Sequence, residues 1–128
     1  MEIILLVEDD SDARTIFGEA LTERGYGVLN ATQGVEGVHL ARRQRPHLIL
    51  MDLRMPVMDG LEAIRYLKSD ERTARILVWG ISAYLAEMDE SDPRLMRFDR
   101  LLHKPIDPGL LAREVADRFG PHPMPLPS

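Results

Sequence analysis

Five apolar runs of strand length recur along the 128-residue chain, and stretches of helical length separate them. The runs cover residues 3–7, about 26–29, 48–51, 76–81 and 101–102. They are continuous rather than alternating, which is typical of parallel strands that are buried on both faces. The alternation of such strands with helices predicts one parallel sheet with helices on both sides.

The stretches between the strands contain helix signals. In the first, Ser11 is the predicted N-cap and Gly25 the stop of a helix with one apolar stripe. Apolar residues at helical spacing predict a third helix at residues 61–67 and a last helix at residues 111–119, with Asp107-Pro108 as its start.

Two of the five predicted helices have unfavourable residues inside them. The second, at about residues 33–43, contains Gly34 and Gly37, which weaken a helix. The fourth, at about residues 84–98, contains Pro93, which should kink or divide it.

The composition limits the class of protein. The length and the 45% of hydrophobic residues predict one domain, at residues 1–120, followed by a disordered tail at 121–128 with four prolines. The chain has no cysteine, so a disulfide framework and a thiolate metal site are excluded. The apolar run near the N-terminus is too short for a signal peptide or a membrane span, which predicts a cytoplasmic protein without a membrane partner.

The net charge is −5, and the 16 basic residues are scattered along the sequence. Nothing in the sequence therefore marks a nucleic-acid surface, and direct binding of nucleic acid is not expected.

Polar residues follow four of the predicted strands. They are Glu8 and Asp9 after the first, Asp52 after the third, Ser82 after the fourth and Lys104 after the fifth. In an open parallel sheet the ligand site lies at the carboxyl ends of the strands, so these side chains should converge. Two carboxylates about 4 Å apart repel by roughly 4 kcal/mol at an effective dielectric constant near 20, so the cluster needs a cation or shared protons. An all-oxygen site without His or Cys suits Mg²⁺.

Each of these residues taken alone has a simpler explanation. Asp10 or Asp12 is expected to cap a helix, and Asp59-Gly60 to form a turn and start one. The four histidines have no ligand spacing, and the seven methionines are expected to fill gaps in the core. The polar residues are informative only as a set, because they occur at successive strand ends.

Four motifs resemble those of one family. "ILLVEDD", "LILMDLRMPVMDG", "ILVWGISAY" and "HKPID" are similar to segments of the receiver domain of bacterial two-component response regulators, of the single-domain CheY-like type. The resemblance covers residues 2 to about 119. It implies an α/β, flavodoxin-like doubly wound sandwich, with a five-stranded parallel sheet of order 2-1-3-4-5 and five helices.

The resemblance also implies a chemistry. Asp52 would be the phosphorylated residue, and Mg²⁺ would be bound by Asp9, Asp52 and the backbone carbonyl of Arg54, with assistance from Glu8. Lys104 would contact the phosphoryl oxygens.

Ser82 would contact the phosphoryl oxygens as well and act as the switch hydroxyl. The phosphoryl donor would be a sensor histidine kinase or a phosphotransfer protein, and the output would be a changed contact with an unknown downstream protein. Such a domain is not an enzyme beyond its own phosphorylation and slow dephosphorylation.

The chain departs from the family pattern in the region of the fourth helix and the fifth strand. Leu101 stands where the family usually has an aromatic residue, Ser82 replaces the commoner Thr, and Arg97-Phe98 stands where a Gly often ends the fourth helix. This surface is therefore expected to be remodelled. The family can use it for homodimers, through the fourth helix, the fifth strand and the fifth helix.

Two other functions stay open. A Mg²⁺-dependent phosphatase of the haloacid dehalogenase type also has an aspartyl nucleophile, but it typically carries a second Asp where this chain has Arg54. A phosphorylation-independent interaction domain is the other alternative, although the complete set of site residues argues against it.

Overall fold

The computed structural model describes residues 1–55, 57–89 and 91–120, and the predicted tail lies outside them. Strands and helices alternate along the chain, as the sequence predicts. The strands are β1 (Ile3–Val7), β2 (Gly27–Ala31), β3 (Leu48–Asp52), β4 (Leu77–Ser82) and β5 (Arg100–His103). The α-helices in the described residues are α1 (Ser11–Glu23), α2 (Gly34–Gln44), α3 (Gly60–Ser69) and α4 (Pro108–Phe119).

The five strands form one parallel sheet of order β2-β1-β3-β4-β5, which confirms the predicted flavodoxin-like topology. The carboxyl ends of the central strands are in register, since Val7 pairs with Met51 and Asp52 pairs with Ile81. At the next strand Ser82 pairs with His103. The residues that follow these strands therefore leave the sheet at one edge.

Each face of the sheet is covered by two helices. One face packs with α2 and α3 around Leu5, Ile49 and Val78. The other packs with α1 and α4 around Leu6, Leu50 and Trp79. The central strands are thus buried on both faces, which explains why they are apolar at every position.

Three of the four α-helices in the described residues start at an aspartate cap. Asp10 caps α1 by accepting the Asp12 N–H at 3.0 Å, which confirms the expectation that Asp10 or Asp12 caps a helix. Ser11 is the first helical residue, so the prediction that Ser11 is the cap is wrong. Asp59 caps α3 through the Glu62 N–H, and Asp107 caps α4 through the Leu110 N–H. These two starts agree with the sequence prediction.

The predicted fourth helix is absent as an α-helix, and the predicted count of five helices is wrong for the described residues. Residues 84–98 contain two short 3₁₀ turns instead, at Leu85–Glu87 and Leu95–Arg97. Between them, the side chains of Asp89 and Asp92 accept the N–H groups of Ser91 and Arg94, each at 2.9 Å. Such local bonds compete with helix formation, and the predicted division at Pro93 is confirmed.

None of the helices in the described part of the chain has the length and apolar character that a membrane span requires.

Candidate functional site

Asp52 is held at the end of the most buried strand. The four residues before it, 48–51, are fully buried in β3 between β1 and β4, while the Asp52 side chain keeps 11% of its surface exposed. Backbone bonds from Leu53 N to Ile81 O (3.0 Å) and from Gly60 N to Leu53 O (3.1 Å) hold the segment that follows. The carboxylate is therefore rigidly placed and still reachable from solvent.

Lys104 joins two carboxylates at this edge. Its Nζ donates to Glu8 Oε1 at 2.5 Å and to Asp52 Oδ2 at 3.1 Å. Its backbone N–H donates to Ser82 O at 2.9 Å, which extends the pairing of β4 with β5. Residues from three separate strand ends thus meet, as the topology predicts.

Glu8, Asp9 and Asp52 form an acidic cluster. Each offers a carboxylate oxygen, and the three oxygens lie within 4.8 Å of one another. Glu8 is 2% exposed, and its buried Oε2 accepts no hydrogen bond from the described residues. Asp9 lies exposed at the rim. A buried carboxylate oxygen without a donor, next to two more carboxylates, suits a hard divalent cation such as Mg²⁺.

The electrostatics of the cluster favour a bound proton when no cation is present. Burial, together with hydrogen bonding to the Asp52 carboxylate, raises the pKa of Glu8 from 4.5 to about 7, although Lys104 opposes the change. Burial by itself lowers the pKa of Lys104, but its hydrogen bond to Glu8 and the charge of Asp52 outweigh this and raise it. Lys104 therefore stays charged at neutral pH.

Ser82 is fully buried at the end of β4. Its Oγ accepts the backbone N–H of Tyr84 at 3.0 Å, so the hydroxyl hydrogen remains available to a further acceptor. Within the described residues no hydrogen bond joins Ser82 to Asp52. The structure therefore brings Ser82 to the same edge as Asp52 without a hydrogen bond between the two side chains.

Arg54 has two contacts that tie the site to the segment after β4. Its backbone N–H donates to Asp52 Oδ1 at 3.0 Å, and its guanidinium lies over the Tyr84 ring, 4.6 Å from the centroid. Sequence reasoning assigned a role only to the Arg54 carbonyl and none to Tyr84. A contact between two side chains thirty positions apart leaves no periodic signal in the sequence.

Arg14 is a second residue that the sequence analysis missed. From α1 it donates to the Glu8 carbonyl at 2.7 Å and so fixes the segment that holds Glu8 and Asp9.

A family model described as the response regulator receiver domain matches residues 4–116. The chain belongs to this receiver family. The resemblance predicted from the four motifs is thus confirmed.

Two relatives of this receiver domain are identical to it at about a third of the matched residues. The polar-differentiation response regulator DivK of Brucella anthropi is 33% identical over 103 residues, which cover 80% of this chain and 84% of DivK. The receiver domain of a sensor histidine kinase from Pseudomonas aeruginosa PAO1 is 32% identical with a TM-score of 0.80, and the match covers 93% and 98% of the two chains. The crystal structure of that domain contains a magnesium ion coordinated in the active site cleft.

A response regulator from Desulfuromonas acetoxidans is 25% identical with a TM-score of 0.80, over 93% of this chain and 97% of the other. The fold of the receiver domain is therefore preserved although three quarters of the residues differ.

In this receiver domain Leu101 is partly buried, and it lies near the aromatic ring of Phe98 at Gly80 of β4. A Cβ placed on Gly80 would lie 3.0 Å from Leu101 Cδ2 and 3.1 Å from Phe98 Cδ1. Phe98 is 7% exposed. An aromatic ring thus packs against β4, but it comes from the segment before β5 and not from the strand.

Proposed function

We propose that this receiver domain takes a phosphoryl group onto Asp52 and signals through changed contacts with other proteins. One observation carries the proposal: Lys104 Nζ bridges the carboxylates of Glu8 and Asp52 at 2.5 and 3.1 Å, beside the acidic cluster. Transfer of a phosphoryl group to a carboxylate needs a fixed nucleophile and positive charge to offset that of the phosphoryl oxygens. Asp52 would be the nucleophile, and Lys104 would supply one of the charges.

Asp9, Asp52 and the backbone carbonyl of Arg54 would hold Mg²⁺, assisted by Glu8. The buried Glu8 Oε2, which has no donor among the described residues, supports this assignment, as does the magnesium ion in the Pseudomonas receiver domain. When bound, Mg²⁺ would neutralise charge on the transferred phosphoryl group.

The proposed donor is the phosphohistidine of a sensor histidine kinase or of a phosphotransfer protein. A carboxylate oxygen of Asp52 attacks the phosphorus, the new P–O bond forms, and the P–N bond to the imidazole breaks. The imidazole takes up a proton from solvent. The hydrogen bonds from Arg54 N and Lys104 Nζ hold the Asp52 carboxylate in one orientation, which keeps attack and departure in line.

After the transfer, Lys104 and Ser82 would donate hydrogen bonds to the phosphoryl oxygens. A hydrogen bond to a charged group is worth about 1.5–3 kcal/mol, enough to draw the Ser82 hydroxyl toward Asp52. Slow attack by water on the same phosphorus would release phosphate and restore the Asp52 carboxylate.

The output would be read at the segment between β4 and β5 by a downstream protein that the sequence does not identify. Self-association through the two 3₁₀ turns, β5 and α4 is an alternative output, although this surface lacks the α-helix on which that prediction was based. The cytoplasmic location stays a prediction from the sequence.

The test is the mass of the intact protein after incubation with a small phosphodonor and Mg²⁺. We expect the wild type and the Asp12→Asn control, which changes an exposed carboxylate of α1, to gain one phosphoryl group. Asp52→Asn should gain none. A similar yield of phosphorylated Asp52→Asn would show that the assignment is wrong.

A further inference from the structure

A surface pocket of about 400 Å³ lies between α3 and the second 3₁₀ turn, away from the residues of the proposed phosphotransfer site. It is lined by Arg65, Lys68 and Ser69 from α3 and by Arg97 from the turn. Three of these four residues are cationic, whereas the chain as a whole has a net charge of −5. The local charge therefore favours an anion.

The three cations of this basic pocket differ in their partners. Lys68 Nζ donates to Ile76 O at 2.9 Å and to Ala74 O at 3.3 Å, and it lies 3.6 Å from Asp99 Oδ2. Arg65 and Arg97 form no ion pair with any carboxylate in the described ranges. Two guanidinium groups that have no counterion among the described residues thus line the same pocket.

Arg97 is fixed against α3 by its neighbours in the sequence. Leu95 and Phe98, which flank it, are 9% and 7% exposed and belong to the core cluster of α2 and α3. The Asp99 N–H then donates to Val78 O at 2.8 Å. The backbone that carries the Arg97 guanidinium is therefore anchored on both sides, so the pocket exists before a ligand arrives.

The segments that carry the basic pocket, together with the end of α2, are rich in basic residues. Residues 42–45, 65–75 and 97–99 contain eight of the 16 Arg and Lys residues but only three of the 21 Asp and Glu residues. Arg42 and Arg72 both pair with Asp70, at 3.0 and 2.7 Å, which ties the end of α2 to the end of α3. Two arginines thirty positions apart, Arg42 and Arg72, are thus brought together at Asp70.

The dipole of α3 places partial negative charge at its carboxyl-terminal end, which disfavours the binding of an anion nearby. This charge is reduced because the Thr73 hydroxyl donates to Leu67 O at 2.6 Å and so satisfies one of the terminal carbonyls. The partial charge that remains is smaller than the formal charges of Arg65, Lys68 and Arg97, which line the pocket.

We propose that the basic pocket binds a small phosphate-bearing molecule, with Arg65 and Arg97 contacting the phosphate. A guanidinium presents a planar fork of N–H donors that matches two oxygens of a phosphate, and two such forks suit a dianion better than a monocarboxylate. The volume exceeds that of a phosphate group alone, so it leaves room for an organic part of the ligand. This binding is independent of the phosphorylation proposed for Asp52.

The test is an amide NMR titration with sodium pyrophosphate as the probe, without Mg²⁺ and at constant ionic strength set by NaCl. We expect saturable shifts at residues 65–69 and 95–99, and a smaller response to acetate. The Arg65→Gln/Arg97→Gln variant should bind at least tenfold more weakly. The matched control, Arg24→Gln/Arg113→Gln, removes two exposed arginines elsewhere and should bind like the wild type.

Three results would overturn the proposal. One is a response that NaCl alone reproduces. Another is equal affinity of the two double variants. The third is a set of shifts confined to residues 8–9 and 52–54, which would place the anion at the phosphotransfer site. The amide spectra before titration verify that both variants are folded.

Discussion

Replacing Glu8 by glutamine removes a buried titrating group from the proposed site. In the folded, metal-free protein, burial and the adjacent Asp52 carboxylate raise the pKa of Glu8 to about 7, from 4.5. Between these two pH values the folded protein keeps a proton that the unfolded chain has lost. The free energy of unfolding therefore falls as the pH rises from 4.5 to about 7, and Glu8 adds no further change above that.

The size of this effect follows from the two pKa values. One pKa unit corresponds to about 1.4 kcal/mol, so the interval from 4.5 to about 7 gives a total loss of about 3–4 kcal/mol for the wild type, of which about 3 kcal/mol falls between pH 4.5 and 8. Glu8→Gln cannot lose a proton and should lack this loss. Saturating Mg²⁺ should reduce the loss in the wild type, because a cation bound to the carboxylates stabilises their charged forms.

The assay is urea unfolding at several pH values between 4.5 and 8, with a chelator present. Glu19→Gln, which changes an exposed carboxylate of α1, is the control and should follow the wild type. The difference in unfolding free energy between wild type and Glu8→Gln should change by about 3 kcal/mol across this range. Parallel curves for these two proteins would refute the reasoning.

Three further predictions concern the loops around the site. Val57 is 85% exposed and has a φ of 68°, a backbone conformation that is strained for a β-branched residue. Val57→Asn should relieve this strain and raise the free energy of unfolding by about 1 kcal/mol in urea unfolding, and a decrease would show that the strain is absent. Asp9→Ala should weaken Mg²⁺ binding at least tenfold by calorimetric titration, whereas Asp12→Ala should not, and undiminished affinity of Asp9→Ala would exclude its role as a ligand. Ser82→Ala should abolish the amide shifts that a phosphate mimic induces at 82–87, and their persistence would show that the hydroxyl does not transmit the signal.

The positions of the site residues were predictable because they follow from topology. Strands that are apolar at every position identify a parallel sheet, and the residues after such strands must leave at one edge. This places Glu8, Asp52, Ser82 and Lys104 together without knowledge of a side-chain conformation. That Lys104 contacts two carboxylates at once depends on rotamers, which the sequence does not determine.

The errors of the sequence analysis arose where several local signals compete. Asp10 and Ser11 are both good caps, and the choice depends on which residue has the extended backbone, here Asp10 with φ −77° and ψ 118°. In the segment 84–98, apolar residues at helical spacing favour a helix, but Pro93 and the backbone contacts of Asp89 and Asp92 prevent it. The gathering of basic residues around Arg65 and Arg97 was hidden because they lie far apart in sequence.

The contacts around Asp52 offer a route to the output surface that does not pass through Leu101. Asp52 accepts the Arg54 N–H, the Arg54 guanidinium lies over the Tyr84 ring, and the Tyr84 N–H donates to Ser82 Oγ. A phosphoryl group on Asp52 would act on both ends of this chain, since it adds negative charge near Arg54 and an acceptor for Ser82. The phosphoryl group shifts the loop after β4 from one conformation to another only by the difference between its interaction free energies with the two conformations. Because both interactions converge on Tyr84, we expect the first residues after β4 to move more than Leu101, whose side chain has no polar group to exchange partners.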